Sequence, residues 1–363
     1  MKTLNLYVAK NFSVVLSVSV GILTFAMIGG NLVKVFEAMS QGVPPLSALL
    51  FMLYMIPLAL SFTIPWAILV SVLILFGRMS ADNEITAMRA CGVSIFQIIS
   101  PVVVITFALT LVTLWLQTSL SPEYNGKARE LLETVGISHP EALIEPGGVV
   151  SFGNTDIIIK DRNDQNELVG LQIYCFDKRR TTLLQDITAD KGLLSPNPAK
   201  GALTIVLKDF TIIDYKDKTL GNRVIGDQMD FSFDIGEQLK DRAVAKQIGV
   251  MTLRELLGCA VLYRRQGLDT TQLEVMLNEQ LALGLSPVAF LLLGLPLAIR
   301  TSRRETFVGF FLSVILAGGY FFFIIGCANL YDRPNLRPQL LLWIPTVLYQ
   351  VGGLYFLKRI TSR

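Results

Sequence analysis

Six long stretches without a charged residue constrain the fold of this chain more than any other feature of its sequence. An α-helix needs about 20 apolar residues to cross the hydrocarbon core of a bilayer, and each stretch is long enough. Mean hydropathy is +0.52, and 52% of the residues are hydrophobic while 17% are charged, which is too apolar for a soluble protein of this size. The sequence therefore predicts six transmembrane helices. The uncharged stretches cover residues 11–33, 38–77, 90–122, 280–299, 306–331 and 338–357.

The first stretch has an alternative interpretation as a cleavable signal peptide, because Ala38-Met39-Ser40 resembles a weak cleavage site. The apolar core of a signal peptide covers about 7–15 residues. The uncharged stretch from Asn11 to Val33 covers 23 residues. This length favours a transmembrane helix that is retained.

Charged residues are concentrated between Glu123 and Glu279, which predicts a soluble domain between the third and fourth spans. Within it, short runs alternate between apolar and polar residues, as half-buried β-strands do; the clearest run extends from Met229 to Ile235. Turn-forming residues separate the runs, so the pattern predicts an all-β sandwich or roll. The inward side chains could form an ordinary core or line a groove for apolar chains. The candidate groove residues are Leu171, Ile173, Phe231 and Phe233.

Several functional classes have no support in the sequence. It contains no Gly-x-x-x-x-Gly-Lys-Ser/Thr phosphate loop and no recognisable Ser/His/Asp set. The four cysteines lack the spacing of metal ligands, and whether Cys175 and Cys259 form a disulfide is left open. A net charge of +3 is too small to indicate nucleic acid binding. The sequence therefore predicts no catalytic residue, cofactor, metal or nucleic acid partner.

A short charged segment, residues 77–92, separates the second and third spans and so lies at a membrane face. It is expected to form a helix of about eleven residues, with Ser80 or Asp82 as the N-cap and Gly92 as the stop signal. Ile85 and Met88 share one face of this helix. The segment is either a solvated connector or a docking helix for a soluble partner. The candidate docking residues are Arg78, Asp82, Glu84, Ile85, Met88 and Arg89.

The distribution of basic residues predicts the orientation. Ten lie at one membrane face, whereas the short loops at the other face carry three, which are Lys34, Arg333 and Arg337. The positive-inside rule then places both termini and the docking segment in the cytoplasm and the β domain outside. The ten basic residues are Lys2, Lys10, Arg78, Arg89, Arg300, Arg303, Arg304, Lys358, Arg359 and Arg363.

These observations predict an α-helical membrane protein with three helices, an inserted all-β domain and three further helices. The expected boundaries are residues 1–122 for spans one to three, 123–250 for the β domain, 251–279 for an amphipathic connector and 280–363 for spans four to six. The docking helix is expected at about residues 78–92.

Three motifs in this layout resemble the LptF/LptG permease family, the membrane subunits of the lipopolysaccharide exporter. They are residues 84–92 after span two, Leu291–Ala298 in span four and Leu342-Trp343-Ile344-Pro345 in span six. The resemblance covers essentially the whole chain. It implies a bacterial Gram-negative inner-membrane permease with a periplasmic β-jellyroll that receives lipopolysaccharide.

The resemblance also implies partners. These are a homologous second permease, a dimeric cytoplasmic ATPase that binds the helix after span two, a single-span periplasmic accessory subunit and a periplasmic bridge protein. Glu84 matches the acidic residue of the family's coupling helix.

Lipopolysaccharide is implied to enter through lateral gates at spans one and five. Lys34 matches a basic residue implicated in contact with lipid A phosphate, whereas Asn31 stands where some members have a second basic residue. The branch, F or G, is left open, although the segment 140–150 leans towards F. The candidate gate residues are Lys34, Phe25, Phe311, Gly318 and Tyr320.

Two other functional classes compete with transport. A membrane receptor or scaffold could bind a ligand with its outer domain and signal through the docking helix. Such a receptor needs no cavity between spans, so the prolines within spans two and four, Pro57, Pro65, Pro287 and Pro296, would be hard to explain. An intramembrane enzyme would need ionisable residues inside the spans, and the uncharged stretches argue against it.

Overall fold

A computed structural model describes most of the chain, apart from short segments within and around the β domain and in three loops of the helical part. The described residues are 2–40, 43–138, 149–152, 155–162, 167–177, 183–197, 202–216, 219–234, 248–301, 306–331 and 336–361.

Ten α-helices lie in the described residues. They are α1 (Lys2–Ser40), α2 (Pro45–Ala81), α3 (Glu84–Ala90), α4 (Ile95–Trp115), α5 (Ser121–Ser138), α6 (Leu253–Arg265), α7 (Thr271–Thr301), α8 (Thr306–Ala328), α9 (Pro338–Leu341) and α10 (Trp343–Thr361).

Six helical segments are long and apolar enough to cross a membrane. Three of them, α1, α2 and α4 with its continuation, precede the β-strands in the chain, and α7, α8 and α10 follow them. The prediction of a mainly helical membrane protein with an inserted antiparallel sheet is therefore confirmed.

The third span is longer than the sequence predicts. We expected it to end at Ser121-Pro122, but a π-helical segment, Leu116–Leu120, joins α4 directly to α5. The wider turn of a π-helix frees backbone groups, and the Thr118 hydroxyl donates a hydrogen bond to the Leu114 carbonyl oxygen at 2.8 Å. Pro122, which has no N–H to donate, lies just after this π-helical segment, where the helical hydrogen bonding is already irregular.

Contacts between residues divide the chain into two units. The first unit consists of Met1–Asn31, Met52–Gly126 and Ile248–Arg363, and the second consists of Leu32–Phe51 and Lys127–Gln247. In the first unit, α2 and α7 are the most buried of the apolar helices. Gly353 of α10 lies against the backbone of Leu292 and Leu293 in α7, closer than any larger residue would allow. Large apolar side chains on α1, α8 and α10 face outward, as lipid-facing helices require. They include Val14, Val18, Ile22, Ile315, Phe322, Val347, Val351 and Leu354.

The second unit contains a six-stranded antiparallel sheet in which every strand pairs with its neighbour in sequence. Its strands are β1 (Val149–Phe152), β2 (Thr155–Arg162), β3 (Glu167–Phe176), β4 (Leu183–Asn197), β5 (Ala202–Lys216) and β6 (Thr219–Asp234). This up-and-down order confirms the antiparallel β prediction, and the finer jellyroll prediction stays a proposal.

A crease crosses the sheet where the alternation of buried side chains slips by one residue. Successive buried positions along a strand are normally two residues apart. At the crease they are three apart, from Leu168 to Leu171 in β3 and from Leu207 to Phe210 in β5. The strand pairing itself keeps its register across the crease. On each of these strands one residue at the crease has positive φ, 68° at Gly170 and 53° at Asp209. At a residue with positive φ the alternation shifts by one, so that the side chains that pointed outward before the crease point inward after it. The sheet can therefore bury apolar residues both before and after the crease.

Candidate functional site

A helix is present in the segment that is predicted to dock a partner, but it is shorter than expected and begins at a different residue. Helix α3 contains 7 residues, from Glu84 to Ala90. Its N-cap is Asn83, in the left-handed conformation with φ 58° and without a side-chain capping hydrogen bond. The expectation of Ser80 or Asp82 as N-cap is therefore wrong. Ser80 belongs to the last turn of α2, and its hydroxyl donates a hydrogen bond to the Ile299 carbonyl oxygen of α7 at 2.9 Å.

The apolar face of α3 is covered by this chain itself. The Ile85 side chain is 5% exposed and belongs to the core of the helical unit, and Met88 packs against the same core. Only two residues separate α2 from α3. This short connection keeps α3 against the bundle, and its apolar face packs on the core of the same chain. The expectation that Ile85 faces a partner is corrected on this ground.

The polar side of α3 remains accessible. Asp82, Thr86 and Arg89 are exposed, as is Arg78 in the last turn of α2. The Glu84 carboxylate accepts hydrogen bonds from the Tyr7 hydroxyl of α1 at 3.3 and 3.4 Å. Both bonds are long, and no cationic side chain in the described part of the chain lies within ion-pair distance of Glu84. A carboxylate in the first turn of a helix is favoured by the helix dipole and is available here to an external cation.

The predicted gate residues differ in their surroundings. Phe25 of α1 is 74% exposed and Phe311 of α8 is 59% exposed. Gly318 of α8 has open space where a Cβ would lie. All three lie on outward faces, where contact with lipid is possible.

Tyr320 is instead buried inside the bundle, unlike the other described gate candidates, and its place in the lipid path stays a prediction. Its side chain is 1% exposed. The hydroxyl donates a hydrogen bond to the Ala282 carbonyl oxygen of α7 at 3.0 Å and shares another with Thr346 Oγ1 of α10 at 2.9 Å. Its ring packs edge-on against Phe290 at 4.9 Å between centroids. Tyr320 therefore joins three helices in the interior, since a buried hydroxyl needs such partners.

Some predicted residues fall outside what the structure describes. Lys34 lies within α1 and Phe233 within β6, but their side chains are outside the described part, as are residues Arg303 and Arg304.

Three of the candidate groove residues, Leu171, Ile173 and Phe231, belong to the apolar cluster of the sheet or pack against it. Leu171 and Ile173 are fully buried in one cluster with Ile157 and Ile205, and Phe231 packs against this cluster. Cys175 also packs there, and burial raises the pKa of its thiol, which accepts a hydrogen bond from the Thr155 hydroxyl at 3.9 Å. The inner surface is thus apolar, with its one thiol protonated at neutral pH.

The described residues also answer two questions on cysteine and metal chemistry. All four cysteines are free thiols, so Cys175 and Cys259 do not form a disulfide in this structure. Among the described side chains, no group of three or more metal-ligating residues comes together.

Two cavities were not predicted from the sequence. One, of about 220 Å³, is lined by Glu279 together with Gln272, Asn329 and Tyr331. The other, of about 300 Å³, is lined by three arginines that come from three helices, namely Arg89, Arg300 and Arg359. From the sequence, Arg300 and Arg359 indicate only the orientation, and Arg89 is in addition a candidate docking residue. Nothing in their spacing shows that they converge.

The fold defines a multi-pass membrane protein with an antiparallel β domain inserted between two sets of apolar helices. The model of one family, described as the lipopolysaccharide export system permease LptF/LptG, matches residues 6–359. The chain belongs to the LptF/LptG family, whose function is lipopolysaccharide transport by a membrane permease. No individual curated protein matches the chain.

Proposed function

We propose that this chain is the permease subunit of an ABC transporter that extracts lipopolysaccharide from the inner membrane and passes it towards a periplasmic bridge. The observation that carries the proposal is the family match, which covers residues 6–359 and so includes α3, the sheet and all six apolar helices. ATP hydrolysis takes place in a separate dimeric cytoplasmic subunit. A homologous second permease and a single-span accessory subunit complete the complex.

The basic residues at the helix ends support a cytoplasmic location for α3 and both termini. Arg78, Arg89, Arg300, Lys358 and Arg359 all follow or precede apolar spans at that end. The positive-inside rule favours this side as the cytoplasm. The sheet then lies in the periplasm.

In this proposal α3 is the contact with the ATPase. Ile85 anchors the helix in the permease core, which leaves the exposed polar residues to form the contact. Glu84 is the central acidic residue, and we propose that it pairs with an arginine of the ATPase. The exposed residues Arg78, Asp82 and Arg89 surround this pair, and the half-buried Met88 lies at its edge.

We further propose that α1 and α8 form the lateral gate. Their outward apolar side chains, Phe25 and Phe311, contact the acyl chains, and the open surface beside Gly318 gives the lipid room to pass. Lys34, which follows the first apolar span directly, binds a lipid phosphate.

Replacing Lys34 with alanine is expected to reduce lipopolysaccharide-stimulated ATPase activity while the complex still assembles. A lysine–phosphate pair in a partly dry site contributes about 1–3 kcal/mol. The measurement is ATPase activity of the reconstituted complex against lipopolysaccharide concentration. Lys34→Arg serves as the control because it keeps the charge and should preserve most of the response. An unchanged response in Lys34→Ala would mean that Lys34 only extends to the membrane interface.

The sheet is proposed to be a β-jellyroll-like domain whose interior accepts acyl chains. Its apolar interior and the crease support this role. Along each strand, apolar side chains are buried both before and after the crease, so the apolar surface is continued across it. Leu171, Ile173, Phe231 and Phe233 line the proposed path. Leu171 and Ile173 are fully buried in this structure, so the path must open when lipid enters.

A photo-crosslinking amino acid at position 231 is expected to capture lipopolysaccharide only when ATP is supplied. The same amino acid at position 230 is the matched control, since Asp230 is the adjacent residue of β6 and is exposed. Neighbouring residues of a strand face opposite sides of the sheet. Labelling is measured as a mass shift on a gel in membranes with and without ATP. Equal labelling at both positions would rule out the proposed path.

Co-purification from membranes tests the proposed function as a whole. A tagged chain is expected to bring with it an ATPase subunit and a second permease of the same family, and its depletion should stop the arrival of new lipopolysaccharide at the outer membrane. A receptor or scaffold would need neither partner for its outer domain to bind a ligand. If depletion leaves lipopolysaccharide export unchanged, the transport function is wrong.

A further inference from the structure

Three helices bring one arginine each to a single cavity. Arg89 lies in the last turn of α3, Arg300 in that of α7 and Arg359 in that of α10. Together they line a cavity of about 300 Å³. This volume is at the lower end of the range for small-molecule sites, about 300–1,000 Å³.

The lining is suited to an anion. Among the described residues that line the cavity there is no carboxylate, and Arg89 and Arg300 form no ion pair with a described residue. The like charges of Arg89 and Arg300 repel each other when no anion lies between them. Arginine presents a planar set of donors that matches the oxygens of a phosphate group. The cavity therefore has the charge and the donors of a phosphate site.

The remainder of the lining is apolar, which identifies the kind of phosphate. Pro296, Leu297, Phe356 and Ile360 form the other walls. The cavity lies at the ends of two apolar spans, α7 and α10, and so at the depth of lipid headgroups.

Exposed apolar side chains continue along α10 from Tyr355, which lies one helical turn before Arg359. The residues of this apolar strip are Ile344, Val347, Val351, Leu354 and Tyr355. A free anion would gain nothing from this strip, whereas the acyl chains of a lipid would cover it.

We propose that this cavity binds the headgroup phosphate of an anionic phospholipid whose acyl chains lie along α10. Basic pockets between transmembrane helices at the cytoplasmic face bind such headgroups in other membrane proteins. The site is separate from the lipopolysaccharide path. Because α3 forms one wall, the bound lipid joins α3 to the ends of α7 and α10.

The test uses the purified, delipidated full chain in detergent. It is titrated separately with dioleoyl phosphatidylglycerol, dioleoyl phosphatidylcholine and inorganic phosphate, and binding is measured by native mass spectrometry. The wild-type chain is expected to retain phosphatidylglycerol in preference to phosphatidylcholine. The double variant Arg300→Gln/Arg359→Gln should weaken phosphatidylglycerol binding at least about tenfold, since hydrogen bonds to charged groups are among the stronger ones.

The double variant Arg78→Gln/Lys358→Gln is the matched control. It removes the same charge from helix ends at the same membrane face, from residues that do not line the cavity, and should retain the lipid. The charge-preserving variant Arg300→Lys/Arg359→Lys should keep part of the binding, which covers the case in which the glutamine variant fails to fold.

Two results would overturn the proposal. Equal loss in the cavity variant and in the control would mean that the arginines act only through the net charge of the membrane face. Binding of inorganic phosphate with no preference for phosphatidylglycerol would assign the cavity to a free anion rather than to a lipid.

Discussion

Replacing Glu84 with alanine is expected to abolish lipopolysaccharide export while the permease remains folded in the membrane. The proposed pair with an arginine of the ATPase is the only cationic contact that we assign to this carboxylate. Loss of one partner from a largely desolvated charge pair costs about 2–5 kcal/mol of binding free energy. This loss is enough to uncouple ATP hydrolysis from transport. Export is measured as lipopolysaccharide reaching the bridge protein, and binding as the ATPase recovered with the tagged permease.

Two further variants define what Glu84 does. Tyr7→Phe removes the hydroxyl that donates to Glu84 within this chain and should leave export intact, because the carboxylate stays available. Glu84→Arg should also abolish export, and an Arg→Glu exchange on the ATPase should partly restore it. Normal export by Glu84→Ala, with the ATPase bound at wild-type strength, would show that α3 is only a connector.

Replacing Gly353 with alanine is expected to disrupt the packing of α10 against α7. A Cβ at this position would meet the backbone of Leu292 and Leu293, which cannot turn aside as a side chain can. The two helices must then separate, and overpacking of this kind costs about 1–3 kcal/mol or more. The measurement is the thermal unfolding temperature of the purified permease in detergent, together with its yield in membranes.

The adjacent glycine provides the control for this prediction. Gly352 has open space where a Cβ would lie, so Gly352→Ala should leave stability unchanged or raise it, since alanine favours a helix over glycine by about 1 kcal/mol. If both variants lower the unfolding temperature equally, the close approach of α7 and α10 is not what Gly353 provides.

The parts of the fold that depend on local sequence were predictable. An uncharged stretch of sufficient length forms a span whatever surrounds it, and alternation over a few residues defines a strand such as β6. The family could also be predicted, because its three motifs are visible in the sequence and occur in a fixed order among the spans. The roles assigned to Lys34, Glu84 and Phe231 stay predictions, since nothing in the structure tests them.

The features that depend on tertiary contacts were missed or misplaced. Ile85 has the same pattern whether its face meets a partner or the chain itself, and only packing decides between them. The burial of Tyr320 cannot be read from an apolar span, because its partners Ala282 and Thr346 lie far from it in sequence. The N-cap was misassigned because a left-handed Asn83 breaks the helix without a capping side chain.

The sheet crease and the three-arginine cavity were missed for a related reason. Each arises where residues that are distant in sequence come together, and neither leaves a local pattern.

The short junction between α2 and α3 has a mechanical consequence. Two residues join the helices, Ile85 holds α3 in the core, and the Ser80 hydroxyl links the end of α2 to Ile299 of α7. A junction of two residues is too short to let α3 move independently of α2. A force applied to α3 is therefore transmitted as a rigid-body movement to α2, and through the close contact of Gly294 with Leu69 to α7. The centre of the bundle, rather than its lipid-facing edge, is the part that a motor at α3 would move first.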